Sequence, residues 1–274
     1  MKVIPVVLLV LFFTTTRAQS TPDDIVAEGK MLYALEMASW HGTDIFMEKL
    51  APRRENPGGY FSYSGGEHHT CIFFSRSDTP RVLAAITFGN NFDPAQATID
   101  SAARAFTAQE RDIYLLRKAT LAEINRDTIF RLYNNTNLNP IPLIGKGYRK
   151  AYVLTGPKVS GLVVFGNDYL LTFDKDNKVI STQQLHRNII PIEYKKEEPN
   201  TATMHSHRPE TGYHITATDI CTLMLYAKYA GWEQHYVISE KFVSIWDCKK
   251  NELVTLTREA WEKINQHQQE KKQP

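Results

Sequence analysis

This chain of 274 residues has few cysteines, almost no excess of charge of one sign and few long apolar runs. Its three cysteines, Cys71, Cys221 and Cys248, cannot all pair within one monomer, which excludes a small disulfide-rich scaffold. A bridge between Cys221 and Cys248 is one alternative, and buried free thiols are the other. Cys221 is also open to two interpretations, as a nucleophile paired with His207 or as a core thiol.

Charge is almost balanced. Lys and Arg number 32 and Asp and Glu number 30, and removing the first 18 residues takes away Lys2 and Arg17, which leaves 30 against 30. A neutral chain has no electrostatic footprint for nucleic acid or for an anionic membrane. The composition therefore argues against a nucleic-acid partner.

The only long apolar run is Val3–Phe13, and it has the pattern of a signal peptide. Lys2 precedes it, and Thr16-Arg17-Ala18 places small residues at −1 and −3, which predicts cleavage before Gln19. The run is shorter than the roughly 20 residues that span a bilayer. We therefore expect an exported protein, periplasmic or secreted, without a transmembrane segment.

The remaining pattern predicts an α+β fold, a mixed sheet with flanking helices. We expect a signal peptide (1–18), an N-terminal α/β region (19–145), a C-terminal mixed α/β domain (146–265) and a polar tail (266–274). Helical patterns cover 23–40 and 94–133, the second with a capping-box sequence at Thr107 that could divide it. Residues 134–147, rich in Asn, Pro and Gly, resemble a linker, and short strand patterns follow.

One constellation indicates chemistry. His205 and His207 are two positions apart in an extended segment, so both imidazoles point to the same face. Asp219 lies at the predicted start of the next helix and offers a carboxylate oxygen. Zinc takes about four such ligands, with one place left for water in catalytic sites. The spacing therefore predicts a metal site at His205, His207 and Asp219.

Residues 200–247 resemble the motif of the JAMM metallopeptidases, which have the MPN fold. The resemblance implies that His205, His207 and Asp219 bind zinc and that Thr216 stabilises the tetrahedral intermediate. It implies hydrolysis of a peptide or isopeptide bond in a peptide or protein substrate. The family also uses a glutamate as general base on an earlier strand, but here Lys158 stands at the matching place.

Other carboxylates are candidates for the missing base. Glu193 is the first, and Glu36 and Glu67 are more remote in sequence. Such a base must come within hydrogen-bond reach of the metal-bound water. The sequence alone places none of them there.

Further histidines and aromatic residues have structural or functional interpretations. Glu67-His68-His69 is either a second cluster or, since adjacent strand residues point apart, the solvated end of a hairpin. His186 and His235 are either structural or additional ligands of the metal. Four aromatic residues are candidates for a binding groove or for the core: Trp40, Tyr60, Phe61 and Tyr63.

Most of the chain also resembles a family of exported proteins from Bacteroidota, through Tyr152–Pro157, Gly166–Tyr169 and the segment from His205 to Trp246. This resemblance implies a bacterial, exported location and no particular activity. Two functions follow as hypotheses: a zinc-dependent hydrolase of JAMM type, or a non-catalytic exported binding or envelope-associated protein. The oligomeric state stays open.

Overall fold

The computed structural model describes residues 21–50, 52, 56–195 and 202–271. The predicted signal peptide, 1–18, lies outside these described residues. The four α-helices of the described part are α1 (Pro22–Lys49), α2 (Ala108–Arg126), α3 (Ala217–Ala230) and α4 (Arg258–Glu270). Within the same residues, none of the helices is both long enough and apolar enough to cross a membrane.

Fourteen strands lie in the described part of the chain, and with the helices they confirm the general α+β fold. Their bounds are β1 (Pro57–Gly65), β2 (His68–Ser75), β3 (Val82–Phe88), β4 (Thr98–Asp100), β5 (Thr136–Gly145), β6 (Tyr148–Pro157), β7 (Leu162–Gly166), β8 (Tyr169–Phe173), β9 (Val179–Gln184), β10 (Ile189–Glu193), β11 (Ala202–Ser206), β12 (Gln234–Ile238), β13 (Phe242–Asp247) and β14 (Glu252–Thr257). Four sheets result, in the orders β1-β2-β3-β4, β5-β6-β8-β9, β10-β7 and β11-β12-β13-β14.

The described strands pair antiparallel except for β11 and β12, which are parallel. A parallel pair needs a crossover connection, and α3 supplies it. This β11–α3–β12 unit brings the end of β11 and the beginning of α3 close together. The predicted metal ligands all lie in this unit.

Helix α1 joins the two halves of the molecule. Its apolar residues are buried on two sides, with Ala38, Ile45 and Phe46 in a cluster with β2 and β3 and Leu32 and Leu35 in a cluster with α3. At the contact with α3, a Cβ on Gly29 would lie only 2.7 Å from Cβ of Ile220. The absence of a side chain at Gly29 therefore lets the two helices approach closely.

Several sequence expectations need correction. Helix α1 does not end at His41-Gly42 but continues to Lys49, and Ile45 and Phe46 in this added part are buried in the core with β2 and β3. Residues 94–106, apart from the short 3₁₀ turn Pro94–Gln96, and residues 127–133 are not helical, while the capping box of Thr107 and Glu110 does begin α2.

The segment expected to be a linker is also ordered. Most of 134–147 is strand β5, which pairs with β6 over its whole length. The predicted boundary at 145/146 falls in the turn of this hairpin. At the other end, α4 continues to Glu270, so residues 266–270 of the predicted tail are helical.

Candidate metal centre

Four buried side chains bring their ligand atoms to one point: His186, His205, His207 and Asp219. These atoms all lie within 4.8 Å of one another. Nε2 of His207 is 2.9 Å from Nε2 of His186 and 3.0 Å from Nε2 of His205. The Asp219 carboxylate lies 3.3 Å from His207, 3.6 Å from His205 and 3.7 Å from His186. Three imidazoles and one carboxylate that could hold a metal ion thus converge in the interior.

The end of β11 positions two of the histidines. His205 is the buried residue of an otherwise more exposed strand, and the peptide N–H of His207 donates to the Ile238 carbonyl, which extends the pairing with β12. The two side chains therefore share one face, as their spacing predicts. Both point toward the beginning of α3.

The N-terminal turn of α3 positions the carboxylate. Thr216 is the N-cap, and its hydroxyl and backbone N–H donate to Oδ2 of Asp219 at 2.7 and 2.9 Å. Oδ1 of Asp219 is buried and has no hydrogen-bond partner among the described residues. A buried carboxylate oxygen without a partner is costly, and a bound cation would satisfy it.

The fourth ligand, His186, comes from the connection between β9 and β10. The backbone N–H of Leu185 donates to the Asp168 carbonyl, which fixes this connection beside the β7–β8 turn. Asp168 Oδ1 in turn accepts from Nδ1 of His186 at 2.7 Å. Spacing in the sequence gives no sign of this pairing, because Asp168 and His186 are 18 positions apart.

The outer nitrogens of the other two histidines also have partners. Nδ1 of His207 donates to the His214 carbonyl at 2.9 Å, which leaves Nε2 free for a metal. Nδ1 of His205 lies 2.8 Å from Nε2 of His235, and Nδ1 of His235 lies 2.7 Å from the Thr203 hydroxyl. Partners of this kind orient the metal-binding nitrogens and set their tautomer. His235 is therefore a partner of a ligand and not itself one of the four.

The spacing of the ligand atoms fits a small transition-metal ion. Bonds of about 2.0–2.1 Å to a tetrahedral ion place neighbouring ligand atoms about 3.3 Å apart. The separations to His207, 2.9 to 3.3 Å, are close to this value, and those from Asp219 to His205 and His186 are wider, 3.6 and 3.7 Å. The donors, the unpartnered oxygen and the oriented imidazoles together make the cluster suitable for a metal.

In the metal-free cluster, the histidines and the carboxylates of Asp168 and Asp219 shift one another's pKa values. Burial alone would lower the pKa of His186, but the carboxylates of Asp168 and Asp219 outweigh it and raise this pKa to about 9. Burial would raise the pKa of Asp219, yet the surrounding histidines, His186 first, hold it well below its usual range. Burial lowers the pKa of His205 to about 4 and that of His235 to about 3. A proton on His186 therefore occupies the place that a cation would take.

The candidate general bases lie elsewhere. Glu193 is exposed and pairs with Leu162 at one end of the β10–β7 ladder, while Ile189 pairs with Gly166 at the other end, next to Asp168. Four residues of strand separate these ends, about 13 Å. Lys158 is exposed just after β6.

Glu36 and Glu67 also lie outside the cluster. Glu36 lies in α1, where Asn139 donates to it, and Glu67 is exposed at the β1–β2 turn. His68 beside it is exposed, and His69 is buried between Ser64 and Asn90. The segment is thus a hairpin end and not a second metal cluster.

The three cysteines are free thiols. Cys221 is fully buried in the cluster shared by α1 and α3, and burial raises its thiol pKa well above the usual value. A thiol held protonated in the core is not suited to nucleophilic attack. The core interpretation of Cys221 is therefore the one that fits.

Comparison with known proteins gives no relative for this chain: no family model, no curated protein and no solved structure matches it.

Proposed function

We propose that this chain is an exported, zinc-binding protein whose metal site is closed and stabilises the C-terminal region, which has a binding role and no hydrolytic activity. The observation that carries this proposal is the convergence of four protein ligands, His186, His205, His207 and Asp219, in a buried cluster. The export rests on the signal-peptide pattern of residues 1–18.

The ligand set favours zinc. Imidazole nitrogens suit zinc, copper, iron and nickel, whereas magnesium and calcium prefer oxygen ligands alone. Three imidazoles and one carboxylate would give zinc four protein ligands, which is the coordination number of structural sites, although the ligand types are those of catalytic sites and structural zinc mostly has cysteine ligands. The metal analysis described below also measures the other first-row metals.

The closed arrangement argues against catalysis. Catalytic zinc sites keep one position for water, and here His186 takes the fourth position. Asp168 is the other carboxylate beside the cluster, but it already accepts from Nδ1 of His186 and so orients a ligand instead of acting as a base. Zinc bound here would supply a link between the β9–β10 connection, β11 and α3. Because these ligands are far apart in the sequence, metal binding would contribute directly to folding.

The same arrangement supports an MPN-like C-terminal part. The order β11, loop, α3, β12 and β13 agrees with the strand–helix–strand order that the JAMM resemblance implies. His205, His207 and Asp219 come together as that resemblance requires. The departures are His186 in place of a water and the lack of a glutamate base in the cluster.

A zinc-dependent hydrolase of JAMM type is the second candidate. It is favoured by a cavity of about 540 Å³ lined by Thr216 and His214, next to the cluster. A substrate there would lie beside the capping Thr216, which matches the serine of the family motif. In this case His186 would have to leave the metal so that water could enter.

Metal analysis separates these outcomes. Purified protein should contain about one zinc per chain by mass spectrometry, and the His205→Ala/His207→Ala double variant should contain none. Equal metal content in both proteins would overturn the metal site itself. Hydrolysis of peptide or isopeptide substrates that is abolished by a chelator in the wild-type protein would instead support the second candidate.

A further inference from the structure

A cavity beside the middle of α3, separate from the metal cluster, has a composition of its own. It has a volume of about 260 Å³ and lies between α1, the middle of α3 (Thr222, Leu225 and Tyr226) and the β5–β6 hairpin, with Tyr60 of β1 at one side. None of its lining residues belongs to the metal cluster. It shares no residue with the cavity beside Thr216 either.

Two carboxylates line this cavity, those of Glu36 and Asp44, both from α1. No Lys or Arg is among its lining residues in the part of the chain that the structure describes. The lining is therefore acidic, which favours a cation over an anion as ligand.

The Glu36 carboxylate is incompletely paired. Its two oxygens share one donor, Nδ2 of Asn139, at 2.8 and 2.7 Å. Burial raises the pKa of Glu36 to about 7, although Asn139 and the charge of Arg117 lower it in part. Arg117 itself lies over the ring of Tyr60, 5.7 Å from its centroid, and does not line the cavity. A cation entering the cavity would supply the close partner that the carboxylate lacks.

Aromatic faces line the same space. Trp40, Tyr60 and Tyr226 are all part of the wall, and the rings of Trp40 and Tyr226 lie 6.2 Å apart at an angle of 43°. Trp40 is 39% exposed even though it is a large aromatic residue between two helices. Rings grouped around a carboxylate are the arrangement that recognises organic ammonium groups, by cation–π attraction.

The cavity continues into a second one. That neighbour, of about 460 Å³, shares Trp40, Pro157 and Tyr226 with it and extends to Tyr229 and Tyr194. Lys158 also lines it, so an uncharged part of a ligand fits there better than a second ammonium group. A ligand with an ammonium group at Glu36 would therefore have room for a longer body beyond Trp40. The two volumes together are in the range usual for small-molecule sites.

We propose that this cavity binds a primary ammonium group on a hydrocarbon chain, with Glu36 as its counter-ion and Trp40, Tyr60 and Tyr226 as its aromatic wall. The ammonium group can come from a free diamine or from a lysine side chain of a peptide. Asn139 holds the Glu36 carboxylate in position, and Asp44 adds negative charge at the wall. This binding is independent of the metal.

The test measures binding of 1,5-diaminopentane and of the blocked tripeptide acetyl-Gly-Lys-Gly-amide to the purified protein, by calorimetry and by Trp fluorescence. Binding of either compound supports the proposal if Glu36→Gln lowers the affinity at least tenfold. The compound that binds more tightly shows whether the ammonium group comes from a diamine or from a lysine side chain. Glu48→Gln, the same change at an exposed position of α1, should leave the affinity unchanged. If Glu36→Gln does not fold, Trp40→Ala should give the same tenfold loss.

Two results would overturn the proposal. One is no binding of either amine at millimolar concentration; binding of neutral maltose in that case would indicate a saccharide site. The other is equal affinity in the wild-type protein and both cavity variants.

Discussion

Nε2 of His186 lies 2.9 Å from Nε2 of His207, although 21 positions separate the two residues in the sequence. Nδ1 of His186 donates to Asp168, and Nδ1 of His207 donates to the His214 carbonyl. Both Nε2 atoms can therefore be unprotonated and bind a metal. This contact turns a three-ligand motif into a four-ligand cluster. The first predictions below depend on it.

Removing the fourth ligand should weaken metal binding without abolishing it. His186→Ala leaves two imidazoles and a carboxylate, and we expect zinc affinity to fall by about 100-fold or more, as measured by competition with a chromophoric chelator. The matched control is His68→Ala, which alters an exposed histidine at the β1–β2 hairpin. Unchanged zinc affinity in His186→Ala would contradict the four-ligand site.

The partner of His186 should matter nearly as much. In Asp168→Asn the side chain can still accept from Nδ1, but the charge that makes the imidazole a stronger ligand is lost. We expect an affinity loss of about 10- to 100-fold. Asp176→Asn, in the exposed β8–β9 turn, is the control and should not differ from wild type. Equal losses in both variants would show that the effect is not specific to the site.

Chelation should destabilise the folded protein. In the proposed zinc site, the four side chains would join the β9–β10 connection, β11 and α3, so treatment with EDTA should lower the melting temperature of the wild-type protein in calorimetry. The His205→Ala/His207→Ala variant should melt at one temperature with or without EDTA. A wild-type melting temperature that EDTA does not change would argue against a stabilising metal.

The metal-free protein should depend on pH in a defined direction. The pKa of His186 is raised to about 9 in the folded protein, so the folded state holds a proton there that the unfolded state loses near pH 6.5. The resulting stabilisation, roughly 3 kcal/mol, is fully present below pH 6.5 and disappears as the pH rises through 9.

The measurement is the difference in unfolding free energy between metal-free wild type and His186→Gln, by urea denaturation from pH 6 to 10. This difference should shrink as the pH rises. In the zinc-loaded protein the metal replaces the proton, so wild type should lose little stability over the same range. A difference that stays constant from pH 6 to 10 would refute the assignment of the proton to His186.

Packing between α1 and α3 gives a prediction that does not involve the metal. A side chain at position 29 meets Ile220, so Gly29→Val should destabilise the protein by about 1–3 kcal/mol. Gly65→Val is the control, since nothing lies within 4 Å of a Cβ at Gly65. Chemical denaturation measures both. A neutral effect of Gly29→Val would mean that the two helices do not approach as closely as the structure has them.

Local patterns in the sequence determined a substantial part of this protein. The two-residue period of a strand puts His205 and His207 on one face, and the Thr216–Asp219 capping box fixes the start of α3. Most strands after residue 148 and the Gly231 end of α3 could be predicted for the same reason. These features depend on residues within a few positions of one another, where backbone geometry alone sets the outcome.

Only the tertiary structure decided the rest. His186 and Asp168 join the cluster through the packing of loops that are distant in sequence, and the ladder of β10 on β7 puts Glu193 at the far end. The continuation of α1 past Gly42 goes with the burial of Ile45 and Phe46 against β2 and β3, which are distant in the sequence. Long-range contacts of this kind leave no periodic signal in the chain, so the sequence predicted three members of the cluster and only the fold supplied the fourth, His186.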